Sequence, residues 1–199
     1  MFSMADTSLT IKQIEYAIYT SGLFDQNTYI MVPNISYGLL SYEADFIAMS
    51  KTGYLTEIEI KRSFSDFKAD FNKRHLHDDI LISHFYYCVP EKIVEKVKEY
   101  LKEKYLSTTK CPAVLYYTET GEIHSVAYFG NPSAFRNKYN RKLFPEEQFK
   151  LARLGCFRYW ATQQHTVGEE LKTIRYNILN SKTQSLNPKY VQLEIEFPE

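Results

Sequence analysis

The stretch from Tyr42 to Lys61 does most to limit what this chain can fold into. Two β-prone runs, residues 46–49 and 54–60, flank Ser50-Lys51-Thr52-Gly53, whose small polar residues and glycine suit a hairpin turn. Acids stand at Glu43 and Asp45 on the first arm and at Glu57 and Glu59 on the second, with Lys61 two residues on. Side chains on a strand share a face at every second residue, so Glu57, Glu59 and Lys61 face one way and Ile58 and Ile60 the other. A hairpin brings Asp45 toward Glu59. Two carboxylates and a lysine converging on one point suit a hard divalent cation beside a phosphate.

The rest of the chain narrows the class. Lys+Arg and Asp+Glu both number 24, so any attraction to nucleic acid must come from local clustering. No window approaches 18 apolar residues, and the first residues lack the basic-then-apolar pattern of a secretory signal, so a cytoplasmic protein without a membrane partner is expected. Cys88, Cys111 and Cys156 are odd in number and contain no CxxC, which fits buried thiols in a reducing compartment. Seventeen tyrosines and 13 phenylalanines fit either a tyrosine-rich core and surface or stacking on nucleic acid.

In chain order the pattern predicts a helix over 9–21, a strand over 28–32 ending at Pro33, and the hairpin. A helix over 62–71 follows, with Ser63 or Ser65 as cap and Phe64, Phe67 and Phe71 toward the sheet. Lys68, Asp70, Lys73 and Arg74 are expected on its other faces. His75-Leu-His77-Asp78-Asp79 lacks a recognised ligand spacing and reads as a solvated loop. A strand over 85–89, a helix over 91–105 and a hairpin with arms 113–117 and 123–129 come next. Helices are expected over 145–163 and 167–179, then a polar loop over 180–189 and an edge strand over 191–197. The order is α/β: one mixed central sheet flanked by helices, followed by a C-terminal helical extension.

The string Asp45, thirteen intervening residues, then Glu59-x-Lys61 resembles the PD-(D/E)XK superfamily of restriction-endonuclease-like nucleases. With Glu43, Glu57, Asp66 and Asp70 it looks like the branch that includes the MmcB-type DNA-repair proteins. Ala44 stands where the superfamily often has proline. The resemblance implies a restriction-endonuclease-like core over 1–130 and an extension over 131–199 packed on the same domain. It implies a Mg²⁺-dependent phosphodiesterase acting on DNA, in repair or mobile-element processing, with Mn²⁺ as substitute. Asp45, Glu59 and Lys61 are the catalytic set; Asp45, Glu59 and the Ile60 carbonyl are the metal ligands. Glu43, Glu57 and Glu15 are supporting residues, and a homodimer is an assembly many such nucleases form. The basic aromatic segment 134–153 offers Arg136, Lys138, Arg141 and Lys142 to a phosphate backbone. The alternative is a catalytically inactive DNA-binding or protein-interaction module that keeps the fold, its acid row a solvent-facing strand face.

Overall fold

The computed structural model describes residues 6–35, 38–73, 77, 79–105, 111–126 and 140–185. Its chain order is α1 (Ile11–Thr20), β1 (Tyr29–Ile35), β2 (Ala44–Ser50), β3 (Leu55–Ile60), α2 (Phe64–Asp70), β4 (Ile82–Pro90), a 3₁₀ turn (Glu91–Ile93), α3 (Val94–Lys104), β5 (Ala113–Tyr117), β6 (Ile123–Val126) and α4 (Pro145–Ser185). The strands form one sheet in the order β1-β2-β3-β4-β5-β6. β1, β2 and β3 make an antiparallel meander, β4 and β5 run parallel to β3, and β6 closes antiparallel on β5. The crossovers that a parallel step requires carry α2 between β3 and β4, and α3 between β4 and β5. This is a mixed α/β fold.

Alternation along the strands divides the core between two faces of the sheet. On one face Phe46, Ile58, Ile60, Cys88, Leu115 and Tyr117 pack with Ile14 and Ile18 of α1. On the other, Ile47, Leu55, Phe85, Tyr87 and Val89 pack with Phe67 of α2 and Val97 and Leu101 of α3. Thr10 caps α1 by accepting from the Gln13 amide, and Gln13 returns the bond to complete a capping box. Ser63 caps α2 by accepting from the Asp66 amide at 3.1 Å. The β2–β3 turn uses Gly53 at φ 86, and an added Cβ there would also lie 3.0 Å from Gln148. Its carbonyl accepts from the Leu143 amide at 2.9 Å, tying residue 143 to the hairpin tip.

Four expectations need correction. Pro33 does not end β1, which runs on to Ile35: β1 is an edge strand, where the missing N–H costs no ladder bond. The expected helices 145–163 and 167–179 are one helix that continues to Ser185, because residues 164–166 hold no breaker and a lone Gly168 costs only about 1 kcal/mol. The first compact unit extends to Gly155, so the boundary is not at 130; Leu143 and Leu151 belong to its core. Cys156 is exposed, whereas Cys88 and Cys111 are buried; all three are free thiols. The second unit is Cys156–Glu199, of which the helical residues to 185 are described. The expected strand over 191–197 lies outside the described residues, as do Arg136 and Lys138. No described helix is long and apolar enough to cross a membrane.

Candidate active site

The functional side chains stand on the face of the sheet covered by α2 and α3. The β2–β3 register pairs Phe46 with Ile58 and Ile47 with Glu57. One step further sets Asp45, at the start of β2, opposite Glu59, near the end of β3. Asp45 Oδ2 accepts from the Ile60 amide at 2.8 Å. In an extended residue the carbonyl points to the same side as the amide, so the Ile60 carbonyl faces the Asp45 side of β3.

Lys61 is buried between two carboxylates. Its Nζ lies 2.7 Å from Glu59 Oε1 and 2.9 Å from Asp70 Oδ1. Lys73, 43% exposed at its side chain, reaches the same two oxygens, at 3.3 Å and 2.6 Å. Burial alone would lower the Lys61 pKa, but Glu59 and Asp70 outweigh it and hold the ammonium charged. Glu59 Oε2 is buried and takes no hydrogen bond from the described residues.

Behind this pair lies a second layer. Glu57 is fully buried. Tyr42 donates its hydroxyl to Glu57 Oε2 at 2.5 Å, and His77 Nδ1 lies 2.6 Å from Glu57 Oε1. His77 Nε2 lies 2.9 Å from Asp70 Oδ2, which also accepts from the Tyr87 hydroxyl at 2.8 Å. The imidazole stacks on Phe85 with centroids 4.5 Å apart. His77 itself sits at φ 51, a left-handed conformation that non-glycine residues adopt at a cost and that its two carboxylate contacts sustain.

Electrostatics follow from this packing. Burial, and then the Glu59 carboxylate, raise the Asp45 pKa to about 7 against the Ile60 amide and the two lysines. Burial raises Glu57 as well, opposed by His77. Burial would lower His77, but its bonds to Asp70 and Glu57 dominate and raise it to about 9, so both ring nitrogens carry protons and donate. Asp70 goes the other way: burial raises it, and His77, Lys61 and Lys73 more than reverse that. Four carboxylates therefore face three cations around one point.

Of the residues singled out from the sequence, Asp45, Glu59, Lys61 and the Ile60 backbone are brought together. Glu57 is not at the periphery but forms the floor, because its strand face is the covered one. Glu43 is exposed beside β2. Glu15 stands on α1, whose buried side packs on the opposite face of the sheet, so the sheet separates that helix from the cluster. Arg141 is held in a half-exposed pair: both its terminal nitrogens donate to Glu147 at 2.7 Å, and the guanidinium lies over Phe144. Lys142 remains exposed, its ammonium 5.3 Å from the Tyr54 ring centroid.

The sequence reading gave no site role to Tyr42, Lys73 or Tyr87, named Asp70 only within the family string, and set His77 in a solvated loop. Asp70 follows Phe67 by three residues and so shares its buried face, a spacing that was available. Tyr87 pairs directly with Glu59 in the β3–β4 register, which only the parallel crossover sets. His77 lies in a loop, and no periodicity announces a buried loop histidine.

Among the described residues the geometry offers two groupings of cation ligands. Glu57, Glu59 and His77 bring ligand atoms within 4.8 Å of one another. A metal there requires neutral imidazole, and His77 is protonated between two carboxylates, which disfavours it. Asp45, Glu59 Oε2 and the Ile60 carbonyl are all oxygen donors, and an orphaned buried carboxylate oxygen fits a hard cation such as Mg²⁺.

The fold and site together define a mixed α/β protein with a buried carboxylate–lysine–histidine cluster at the ends of β2 and β3. No family model matches the chain, and no curated protein matches it in sequence. A solved structure with some likeness to it is described as SPO1766, a protein of unknown function from Silicibacter pomeroyi. It is 15% identical with a TM-score of 0.49, over 82% of this chain and 95% of that one.

Proposed function

We propose that the chain is a metal-dependent phosphodiesterase acting on DNA. The observation that carries this reading is the juxtaposition of Asp45 with Glu59, whose Oε2 is buried without a partner among the described residues while Lys61 binds its Oε1. Asp45, Glu59 and the Ile60 carbonyl would hold Mg²⁺, with Mn²⁺ as substitute, and the ion would supply polarisation of a phosphate and a more acidic bound water. Lys61 supplies a fixed positive charge to the phosphate oxygens as negative charge builds on them. Asp70 aims that ammonium, and His77 and Tyr87 fix Asp70. Asp45, holding its proton near pH 7, must release it for the cation. Lys73, the more exposed of the two lysines at the cluster, is a group available to a backbone phosphate.

One observation favours a second reading. Lys61 is sealed between Glu59 and Asp70, as a structural ion-pair network would have it, and the chain would then be an inactive module that keeps the fold. Cleavage of a panel of single- and double-stranded DNAs with Mg²⁺ separates the two. Phosphodiesterase action requires Mg²⁺-dependent cleavage by the wild type and a loss of about a hundredfold or more in Asp45→Asn with the fold intact. Equal cleavage by both proteins sinks the catalytic assignment, and absence of cleavage by the wild type favours the module.

A further inference from the structure

The second unit carries a feature the proposed site does not use. Along α4, Phe157, Trp160, Val167, Leu171, Ile174 and Ile178 are between 42% and 65% exposed. Together with Gln164 their spacing is 3-4-3-4-3-4, an unbroken seam of three heptads. At 1.5 Å per residue the seam is roughly 33 Å long. Spacing fixes the frame, because an a position precedes its d by three residues: Phe157, Gln164, Leu171 and Ile178 are a; Trp160, Val167 and Ile174 are d. A helix in water draws most of its stability from packing an apolar stripe, and this stripe is on the surface.

Charge identifies the occupant. The g positions are Cys156, Gln163, Glu170 and Asn177, and the e positions are Ala161, Gly168, Arg175 and Lys182. In a parallel pair a g residue meets the e residue five positions on in the other helix, which sets Glu170 against Arg175 twice by symmetry. In an antiparallel pair g faces g and e faces e, and neither set contains opposite charges. The single amide at an a position, Gln164, would meet its own copy in the parallel register, where one buried polar residue specifies alignment.

We infer that two copies of this chain associate as a parallel coiled coil through residues 157–178. The inference is independent of the phosphodiesterase reading.

The 199-residue chain tests it by sedimentation equilibrium from about 1 to 100 µM. A dimer is expected, and Val167→Glu with Ile174→Glu should shift it to monomer while amide hydrogen exchange in β2, β3 and β4 stays unchanged. Charge exchange needs no loss of packing. Glu170→Arg and Arg175→Glu, each alone, should weaken the dimer by about three- to tenfold. An equimolar mixture of those two variants should recover wild-type affinity as a heterodimer, because both contacts become Arg–Glu again. Ile178→Cys in a Cys156→Ser background should form an intermolecular disulfide with its own copy. A monomer throughout the range overturns the proposal, whether residues 186–199 or nothing covers the seam. A dimer that ignores the charge exchange and does not crosslink at 178 overturns it equally.

Discussion

Asp45→Asn turns the electrostatics of the site into a number. Asp45 faces Glu59 with its pKa raised from 3.8 to about 7 by burial and by that neighbour. The folded state therefore holds a proton that the unfolded chain gives up near pH 4. Stability from this proton is fully present below pH 3.8 and is lost as pH rises through 7. Over about three pH units at 1.36 kcal/mol each, the ceiling is about 4 kcal/mol. Asparagine keeps an oxygen to accept from the Ile60 amide, and the pull of Lys61 and Lys73 on the charged form is already contained in the raised pKa, so the ceiling is the working figure. Asp45→Asn should thus be more stable than wild type by up to about 4 kcal/mol at pH 8.5, and most of the gain should be gone by pH 4. For a chain of this length that is about 8–16 °C in Tm. Urea unfolding of both proteins at pH 4.5, 6, 7.5 and 8.5 measures it, and the other titrating groups cancel in the difference. A variant less stable than wild type at pH 8.5, or a difference that does not move with pH, refutes the reasoning. A substitution that stabilises the fold while abolishing cleavage marks a residue kept for chemistry.

Three further outcomes follow from the same geometry. His77→Ala leaves Glu57 and Asp70 each short of a charged partner and should cost about 3–5 kcal/mol; the gap from wild type should narrow between pH 6.5 and 9 as wild-type His77 loses its proton, read from urea midpoints. Lys61→Ala should also be destabilised, by about 3 kcal/mol or more in thermal or urea unfolding, because both its partners are buried, so its loss of cleavage cannot by itself be assigned to chemistry. Mg²⁺ affinity, measured by titration calorimetry, should rise about tenfold per pH unit up to pH 7 and level off above it, since the ion must displace the Asp45 proton.

The fold was legible where one periodicity ruled. Alternation in Tyr54–Ile60 gave the faces of β3, and Gly53 gave the turn that sets Asp45 against Glu59. Ser63, one of two candidate caps, gave the start of α2, whereas α1 starts behind Thr10, two residues later than the helical spacing suggests. What stayed hidden depends on the path between elements. Asp70 and Tyr87 join the site through the parallel β3–β4 step, which pairs Glu59 with Tyr87, and strand composition carries no record of that register. His77 occupies a short loop whose acidic neighbours made it look solvated, yet it is buried because two carboxylates inside the fold need its protons. Arg141 was read as a phosphate ligand from charge density alone, and a partner six residues on, Glu147, takes its fork. Local charge counts do not reveal such internal pairs.

The central claim is that Asp45 and Glu59 hold a divalent cation. Anomalous diffraction from crystals soaked in Mn²⁺ at pH 8 tests it without a substrate. A peak is expected between Asp45 and Glu59 Oε2, within about 2.5 Å of the Ile60 carbonyl oxygen, and none in an Asp45→Asn crystal. A peak among Glu57, Glu59 and His77, or none at saturating Mn²⁺, contradicts the account.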